Sequence, residues 1–355
     1  MNLLAIRLDH RHWGKYSGYQ RFLYAFDDSC TLVEEISVLK DPYYLPLPTR
    51  LFRKVARGFI RTGSHWYAFE DYRAEQRAAH FMQHERVDVV HFLDTEHSFY
   101  YLHEMLKRKG CAIPALVGSF HQPPDKMVDL VDPALFDILD RIVVVTPDQV
   151  DYFAQFKPRD QIDVIPLGID TQLWTPPTNR VFDHSLKLLT VGQYFRDYEA
   201  LIKTAEALKD HSDIQFTVLS RVLDPDTVPD NMQVLHYVSD DELVALYRES
   251  DLLLLPMKKA TANNALVEAM ACGLPILATD LDGTQANAPG DECRKFPTND
   301  PNVIRDAILA LKNDPDFRQH MSTCARERAE TFAWPRIAAE TVACYEKAIA
   351  QRKAR

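Results

Sequence analysis

The chain has 355 residues, of which 46% are hydrophobic and 26% are charged, and its formal net charge is −10. At roughly 100–200 residues per domain, this length predicts two domains rather than one. The hydrophobic content excludes a largely disordered or fibrous protein. The acidic balance argues against a general nucleic-acid binder, which needs a basic surface.

The sequence predicts neither a membrane-spanning segment nor a signal peptide. No apolar run reaches the ~20 residues needed to cross a bilayer. Residues 1–8 are typical of a first strand and lack the basic region and cleavage site of a signal peptide. Six widely spaced cysteines without a CxxC pair predict neither a disulfide framework nor a zinc site. These features predict a cytoplasmic protein with reduced thiols.

Short apolar segments alternate with amphipathic segments of helical length along the whole chain. The segments lie at 2–8, 31–39, 87–93, 114–120, 141–146 and 162–167, and then at 186–192, 214–220, 233–238, 251–257 and 275–279. Those that are apolar on both faces are typical of strands in a parallel sheet covered by helices on each side. The pattern predicts a doubly wound α/β architecture.

The alternation is interrupted once, at residues 173–179, where two prolines occur without periodicity. This interruption predicts an N-terminal domain over 1–172, a linker over 173–185 and a C-terminal domain over 186–333. A final helix is predicted over 334–353.

One segment of the first half is strongly basic. Residues 50–61 contain no acidic side chain, and their apolar residues fall on one side of a helix. Such a helix can lie on an anionic membrane surface or bind an anionic acceptor. A helix packed on its own domain with solvated arginines shows the same pattern, so both interpretations stay open. The basic residues are Arg50, Arg53, Lys54, Arg57 and Arg61.

The most informative segment covers residues 256–279. A buried strand ends at its start, a polar loop follows, and a helix begins near Asn263 and ends before Gly273. The N-terminal amides of this helix lie beyond the carboxyl end of a parallel strand, where they favour a phosphate group. Glu268, one and a half turns into the helix, can accept hydrogen bonds from sugar hydroxyls, although a helical glutamate is more often a solvated surface residue.

The run EAMACGLPILAT at residues 268–279 resembles the signature of the family 4 retaining glycosyltransferases of the GT-B fold. Further similar segments are IDVIPLGID at 162–170, LLTVG at 188–192, YVSDDEL at 237–243 and FAWPR at 332–336. The resemblance implies two Rossmann-like, doubly wound domains that face each other across a cleft. The acceptor would bind in the first domain and a nucleotide-sugar donor in the second, and the C-terminal helix would cross back onto the first.

The resemblance also implies roles for individual residues. Glu268 matches the glutamate that holds the donor ribose, and Arg196 takes the place of a lysine that neutralises the donor diphosphate. Gly18 falls in a glycine loop whose amide approaches that diphosphate. His121 matches a histidine beside the donor sugar, although a core histidine at a strand end is an equally good interpretation. Further donor contacts are implied for Gln193, Tyr237, Val238, Thr261, Asn263 and Asn264, with Tyr237 and Val238 beginning the loop around the base.

The sequence departs from the family pattern beside the predicted donor sugar. Ala260 stands where the family has a glutamate that grips the sugar hydroxyls, so the identity of the sugar does not carry over. A Gly-rich turn is replaced by residues 261–264, in which Asn263 can adopt a left-handed conformation.

A second departure affects the phosphate charge. Gln193 replaces an arginine, which leaves more of the charge on the donor diphosphate to Arg196. Lys258 or Lys259 are alternative sources of positive charge. No HExxH pattern occurs among the 13 histidines, and the acidic pair Asp280 and Asp282 is a common loop feature, so no metal is predicted.

The resemblance implies a retaining, metal-independent glycosyltransferase that needs no cofactor. It would move a sugar from a nucleotide-diphosphate sugar to a hydroxyl of a glycan, a lipid-linked acceptor or a small molecule, by front-face attack. Closure about residues 171–185 would exclude water. Two alternatives stay open: a non-catalytic GT-B protein that binds a nucleotide or a partner, and a sugar-nucleotide isomerase. A peripheral contact with the inner membrane face is a further hypothesis.

Overall fold

The computed structural model describes residues 1–9, 16, 18–40 and 66–355. The described residues form two compact units. The first combines the N-terminal strand with residues from Tyr19–Pro166 and with Pro335–Arg355, and the second combines Leu167–Trp334 with Tyr16 and Gly18. The predicted basic helix at 50–61 lies outside the described residues.

The first unit contains a parallel sheet of six strands with the order β2-β1-β3-β4-β5-β6. The strands are β1 (Asn2–Asp9), β2 (Thr31–Leu39), β3 (Val89–Phe92), β4 (Ala115–Phe120), β5 (Arg141–Val144) and β6 (Ile162–Val164). The α-helices described here are α1 (Phe69–Phe81), α2 (Thr95–Ser98), α3 (Leu102–Arg108), α4 (Pro124–Leu130) and α5 (Val150–Phe153). Every residue of β3, β4 and β5 is buried, as expected for central strands covered on both faces.

The second unit contains a second parallel sheet of six strands with the order β12-β11-β10-β7-β8-β9. Its strands are β7 (Leu186–Val191), β8 (Ile214–Leu219), β9 (Met232–Leu235), β10 (Leu252–Leu255), β11 (Ile276–Thr279) and β12 (Cys293–Phe296). Its helices are α6 (Tyr198–Ala207), α7 (Asp240–Glu249), α8 (Asn264–Ala271), α9 (Asp282–Asn287), α10 (Pro301–Lys312) and α11 (Pro315–Glu330). The final helix of the chain is α12 (Trp334–Ala354).

The doubly wound α/β prediction is confirmed, and all eleven predicted strands are present. The twelfth strand, β12, was not predicted because Arg294 and Lys295 interrupt its apolar pattern. β12 lies at the edge of its sheet, where a strand needs fewer apolar residues.

Residues 173–185, the predicted linker, belong to the second compact unit. Trp174 is fully buried among the core residues of that unit. Arg248 donates from Nη2 to Thr175 Oγ1 at 2.6 Å, and Arg326 donates from Nη1 to the Trp174 carbonyl at 2.8 Å. The two compact units divide between Pro166 and Leu167, a few residues before the predicted boundary at 172.

The last helix packs on the first sheet. Tyr345 lies 2.7 Å from His91 on β3, and Arg352 lies 2.7 Å from Asp140, which directly precedes β5. All six cysteines are free thiols. No helix among the described residues is both long and apolar enough to span a membrane.

Candidate functional site

Each sheet has a point at which the order of its strands reverses. This point lies between β7 and β10 in the second sheet and between β1 and β3 in the first. Doubly wound sheets bind ligands beyond the carboxyl ends of the strands at such a point. In the second unit, a ligand site is therefore expected at the loops after β7 and β10.

The guanidinium group of Arg196 joins these two loops. Its Nε and Nη2 donate to the carbonyl oxygen of Val191 at 3.0 and 2.8 Å, and Nη2 also donates to Asn263 Oδ1 at 3.1 Å. Nη1 donates to the carbonyl oxygen of Tyr194 at 3.2 Å and lies 3.5 Å from Met257 Sδ. The partners of Arg196 are neutral, so they hold the group in place without cancelling its charge.

No carboxylate in the described parts of the chain forms an ion pair with Arg196 within 4.0 Å. Burial lowers the pKa of Arg196 from its usual value, although an arginine stays charged in proteins. A positive charge that is held by neutral groups attracts an anion more strongly than one that is already paired with a carboxylate. Lys258, an alternative cation in the sequence analysis, lies 3.8 Å from Asp197 and is already partnered.

The loop after β7 requires a special backbone conformation to bring Arg196 to this position. Gly192 has φ of 89°, in the left-handed region, and a Cβ atom there would lie 3.1 Å from Arg196 Nη2. Phe195 has φ of 59°, which is rare for a residue with a side chain. The Lys258 N–H donates to the Phe195 carbonyl at 2.9 Å and so ties this conformation to the loop after β10. Strained backbone held in this way is frequent at functional sites.

The helix α8 begins next to Arg196. Asn263 is its N-cap residue, and its Oδ1 accepts hydrogen bonds from the Ala265 N–H and from Arg196, both at 3.1 Å. Asn263 does not use the left-handed conformation that is open to it: its φ is −141°, because an N-cap residue takes an extended backbone. The positive end of the α8 dipole and the guanidinium therefore lie together, and both favour an anion.

Glu268 lies inside the protein, with 3% of its surface exposed. The hydroxyl of Tyr247 on α7 donates to Glu268 Oε2 at 2.8 Å. Burial and the neighbouring carboxylate raise the pKa of Tyr247 well above its usual value, so it stays a donor. The negative charge of Glu268 also acts on Arg196 at longer range. The role of Glu268 in holding ribose stays a prediction, and Tyr247 is a partner that the sequence did not reveal.

The loop after β10 is fixed by side chains from the ends of the neighbouring strands. The Met257 N–H donates to Thr279 Oγ1 at 2.8 Å, and Thr279 Oγ1 donates to Asn299 Oδ1 at 2.7 Å. Asn299 Nδ2 in turn donates to the Met257 carbonyl at 3.0 Å. Thr279 and Asn299 were missed by the sequence analysis, although each follows the apolar part of a strand, where site residues collect.

Residues 260–261 of the same loop press closely on α9. A Cβ atom on Gly283 would lie 2.4 Å from the Ala260 carbonyl oxygen and 2.8 Å from that of Thr261. Asn287 Nδ2 also donates to the Thr261 carbonyl at 3.3 Å. Thr261 is buried, so the turn that replaces the family's Gly-rich segment is closely packed.

The other residues predicted in the second unit lie around this edge of the sheet. Gln193 follows β7 and is exposed, and Asn264 is the first residue of α8. Tyr237 follows β9 with 75% of its surface exposed, and Arg221 Cζ lies 4.8 Å from the centre of its ring. Val238 comes next and is half-buried. Within the described residues, no hydrogen bond joins Gln193 or Tyr237 to Arg196.

In the first unit, His121 lies directly after β4. Its backbone N–H and that of Gln122 both donate to Oε1 of Glu96, a buried carboxylate. Burial raises the pKa of Glu96, and His121 opposes that shift. His121 Nε2 lies 2.7 Å from the Leu93 carbonyl, which can only accept, so Nε2 carries the hydrogen. The ring of Tyr19 stands edge-on to the His121 ring, with centroids 4.6 Å apart.

Gly18 directly precedes Tyr19 and is buried with φ of 115°. Only glycine adopts this conformation without strain, so the residue type is explained by the backbone. His121 belongs to the first compact unit, whereas Gly18, Arg196, Asn263 and Glu268 belong to the second.

The described residues contain no group of three or more His, Cys, Asp or Glu side chains arranged to hold a metal ion. Of the acidic pair weighed in the sequence analysis, Asp280 accepts a hydrogen bond from Gln285 Nε2 at 2.6 Å.

Solved structures that match most of the chain define the class of fold. A glycosyltransferase from Rickettsia africae matches with a TM-score of 0.70 at 12% identity, over 98% of each chain. Sucrose-phosphate synthase from Thermosynechococcus elongatus matches with a TM-score of 0.64 at 16% identity, over 89% of this chain and 83% of that one. The fold is therefore GT-B.

Sequence families give the narrower assignment. Residues 17–173 match the family described as Glycosyltransferase Family 4, and residues 185–314 match Glycosyl transferases group 1. The chain belongs to the family 4 glycosyltransferases.

Two named relatives match at 25–28% identity. The chain is 28% identical over 205 residues to an MMP alpha-(1->4)-mannosyltransferase of Mycolicibacterium hassiacum, covering 54% of this chain and 50% of the relative. It is 25% identical over 278 residues to a D-inositol 3-phosphate glycosyltransferase of Paenarthrobacter aurescens, covering 70% and 66%. The chain thus spans half to two thirds of the length of these relatives.

Proposed function

We propose that the protein is a retaining glycosyltransferase that moves a sugar from a nucleotide-diphosphate sugar to an acceptor hydroxyl. The observation that carries this proposal is the Arg196 guanidinium, which lies against the N-cap of α8 without a carboxylate partner among the described residues. A diphosphate supplies the negative charge that this arrangement favours.

The donor site in this proposal is the carboxyl edge of the second sheet. The diphosphate lies at Arg196 and the first amides of α8. The base lies toward the loop that begins with Tyr237 and Val238, and the ribose lies toward Glu268. Because every N–H of Arg196 already has a protein partner, the guanidinium acts first through its charge, and a direct phosphate contact shares or replaces one of those hydrogen bonds.

The chemistry follows from where charge develops. Departure of the nucleoside diphosphate builds negative charge on the phosphate, which a fixed guanidinium and fixed amides stabilise in the transition state. The anomeric carbon becomes electron-poor, and the acceptor hydroxyl attacks from the face that the phosphate leaves. His121 orients the sugar or the acceptor. No metal and no cofactor takes part in this proposal.

A thermal-shift screen of UDP-, GDP-, ADP- and TDP-sugars tests the donor assignment. A ligand that binds only the native state raises the melting temperature. We expect one base to give a clear rise in the wild type and a much smaller rise in Arg196→Ala. The absence of a rise with every donor would contradict the proposal.

The stereochemical outcome tests the reaction type separately. Proton NMR of the product, recorded before the anomers equilibrate, distinguishes retention from inversion. We expect the product to keep the donor's anomeric configuration, and an inverted product would contradict the mechanism. Release of an epimer without acceptor would indicate an isomerase instead.

The acceptor is proposed to be a hydroxyl on a carbohydrate or a phosphorylated polyol. Relatives named for inositol 3-phosphate motivate the second choice. Assays with the best donor and either inositol phosphate or simple sugars separate the two, and transfer to neither would leave a lipid-linked glycan as the acceptor class to assay.

The basic residues at 50–61 support a further proposal, contact with an anionic membrane surface. Co-sedimentation with liposomes that contain increasing amounts of anionic lipid tests it. Binding should increase with anionic lipid and decrease with salt, and binding independent of both would contradict it.

A further inference from the structure

A buried hydrogen-bond network crosses the first unit from the last helix to the neighbourhood of His121. Tyr345 Oη of α12 lies 2.7 Å from His91 Nδ1, and His91 Nε2 lies 2.7 Å from Ser119 Oγ. Ser119 Oγ lies 2.9 Å from Tyr19 Oη. The network therefore connects α12, β3, β4 and the 3-10 turn Tyr19–Tyr24, which are distant in the sequence.

The members of this network are buried and uncharged. His91, Ser119 and Tyr345 have no exposed surface, and Tyr19 has 6%. Burial lowers the pKa of His91 to about 3, with a smaller contribution from His121, and burial raises the pKa of Tyr345 well above its usual value. A neutral imidazole donates from one nitrogen and accepts at the other, so the hydroxyls on its two sides take opposite roles.

An apolar core does not need such a network. Phe22 and Phe26 already pack beside it, with ring centroids 5.9 Å from His91 and 6.2 Å from Tyr345. Burying four polar side chains is favourable only when each one keeps its hydrogen bond. What the network provides beyond packing is orientation, because turning either inner member breaks two hydrogen bonds.

The network ends at a residue that contacts His121, one of the site residues predicted from the sequence. The ring of Tyr19 stands edge-on to the His121 ring at 4.6 Å and 74°. Tyr19 also directly follows Gly18 in the sequence. Fixing the Tyr19 hydroxyl therefore also fixes the ring that contacts the His121 imidazole.

We propose that Tyr19 is a positioning residue for the transfer reaction, which holds the His121 imidazole through its ring while Ser119, His91 and Tyr345 hold Tyr19. The kinetic consequence rests on the proposed function. The geometric consequence, that loss of a hydroxyl at either end moves His121, does not.

The kinetic test compares Tyr19→Phe and Tyr345→Phe, which each remove one hydroxyl and keep the ring. Since misplacement of a catalytic group slows chemistry more than binding, we expect each variant to lower kcat about tenfold and to change the donor KM less than twofold. The double variant should be no slower than the slower single variant, because both changes break the same network. Tyr24→Phe is the matched control, since that exposed hydroxyl in the same turn donates to Glu35 instead.

The geometric test needs no substrate. In protein labelled in its histidines, the His121 imidazole resonances are assigned with His121→Asn and compared between variants by NMR. We expect them to move in Tyr19→Phe and in Tyr345→Phe and to stay in place in Tyr24→Phe.

The kinetic test and the NMR test can fail independently, so the proposed function and the positioning role are distinguishable. If the resonances move but the wild type transfers no sugar from any donor, the proposed function is wrong and the positioning role is supported. If the resonances do not move in Tyr345→Phe, or if the losses of kcat multiply in the double variant, the positioning role is overturned.

Discussion

The candidate donor site in the second unit and the surroundings of His121 in the first are built from different chemistry. Arg196 is a full positive charge held by neutral groups beside the start of a helix. The His121 backbone donates to a buried carboxylate, and its ring contacts Tyr19, which belongs to a network of neutral hydroxyl and imidazole groups. The site in the second unit supplies a positive electrostatic field, and the surroundings of His121 supply a fixed side-chain orientation.

This difference matches the two demands of sugar transfer from a nucleotide donor. The leaving group gains negative charge, which a fixed positive charge stabilises. The reacting carbon must also be placed correctly, and a neutral network can supply that placement. If the proposed function is correct, variants of the second region should weaken donor binding, and variants of the first should slow the chemical step.

Among the substitutions, the largest loss of stability is expected from Gly283→Ala in the second unit. Its Cβ would meet the backbone oxygens of Ala260 and Thr261, which cannot move as a side chain can. We expect a loss of about 1–3 kcal/mol in the free energy of unfolding, measured by chemical denaturation, together with weaker donor binding. Gly290→Ala is the control, because its new methyl meets the side chain of Glu292 rather than backbone oxygens and should cost less. Equal losses would show that the loop after β10 is not rigid.

The neutral network of the first unit should make the stability of the protein sensitive to acid. Below pH 6.5 an unfolded His91 binds a proton, whereas the folded residue, with its pKa lowered to about 3, does not. The unfolded state thus binds more protons between pH 6.5 and 3, so the free energy of unfolding falls as the pH falls through this range. The loss is on the order of a few kcal/mol.

Denaturation curves recorded from pH 7 to pH 4 measure this slope. His91→Gln should flatten it, whereas His84→Gln, at an exposed position, should not. An unchanged slope in His91→Gln would mean that another group controls the acid response, and the neutral character of the network would lose its support.

Substitutions at Asn263 separate helix capping from charge in the second unit. Asn263→Ala should cost about 1 kcal/mol of stability through loss of the N-cap. Asn263→Asp keeps a capping oxygen but places a carboxylate beside Arg196, so stability should be retained while affinity for a nucleoside diphosphate falls. Thermal denaturation and calorimetric titration measure the two quantities. Undiminished affinity in Asn263→Asp would show that the open charge of Arg196 is not needed.

The sequence was sufficient for the fold and for the helix at the site. Eleven strands and the start of α8 near Asn263 could be predicted because apolar periodicity and capping residues are local signals. β12 could not, since its two inner residues are charged. Trp174 was assigned to a linker because prolines follow it, whereas burial in the core of the second unit depends on tertiary packing.

Side-chain partnerships were the least predictable part of the site. The contacts of Arg196 with Val191 and Asn263 depend on the left-handed backbone at Gly192 and Phe195, which the residue types alone do not specify. Tyr247 and Glu268 are 21 positions apart, and Tyr345 and His91 are 254 apart. Such pairs become visible only when the fold brings their elements together.

The most direct test of the account is calorimetric titration of the nucleoside diphosphate chosen by the donor screen into the wild type, Arg196→Ala and His121→Ala. We predict at least tenfold weaker binding in Arg196→Ala, corresponding to about 1.4 kcal/mol, and nearly unchanged binding in His121→Ala. Sugar transfer by His121→Ala should nevertheless be slow. Wild-type affinity in Arg196→Ala would contradict the account, since the diphosphate would then be held elsewhere.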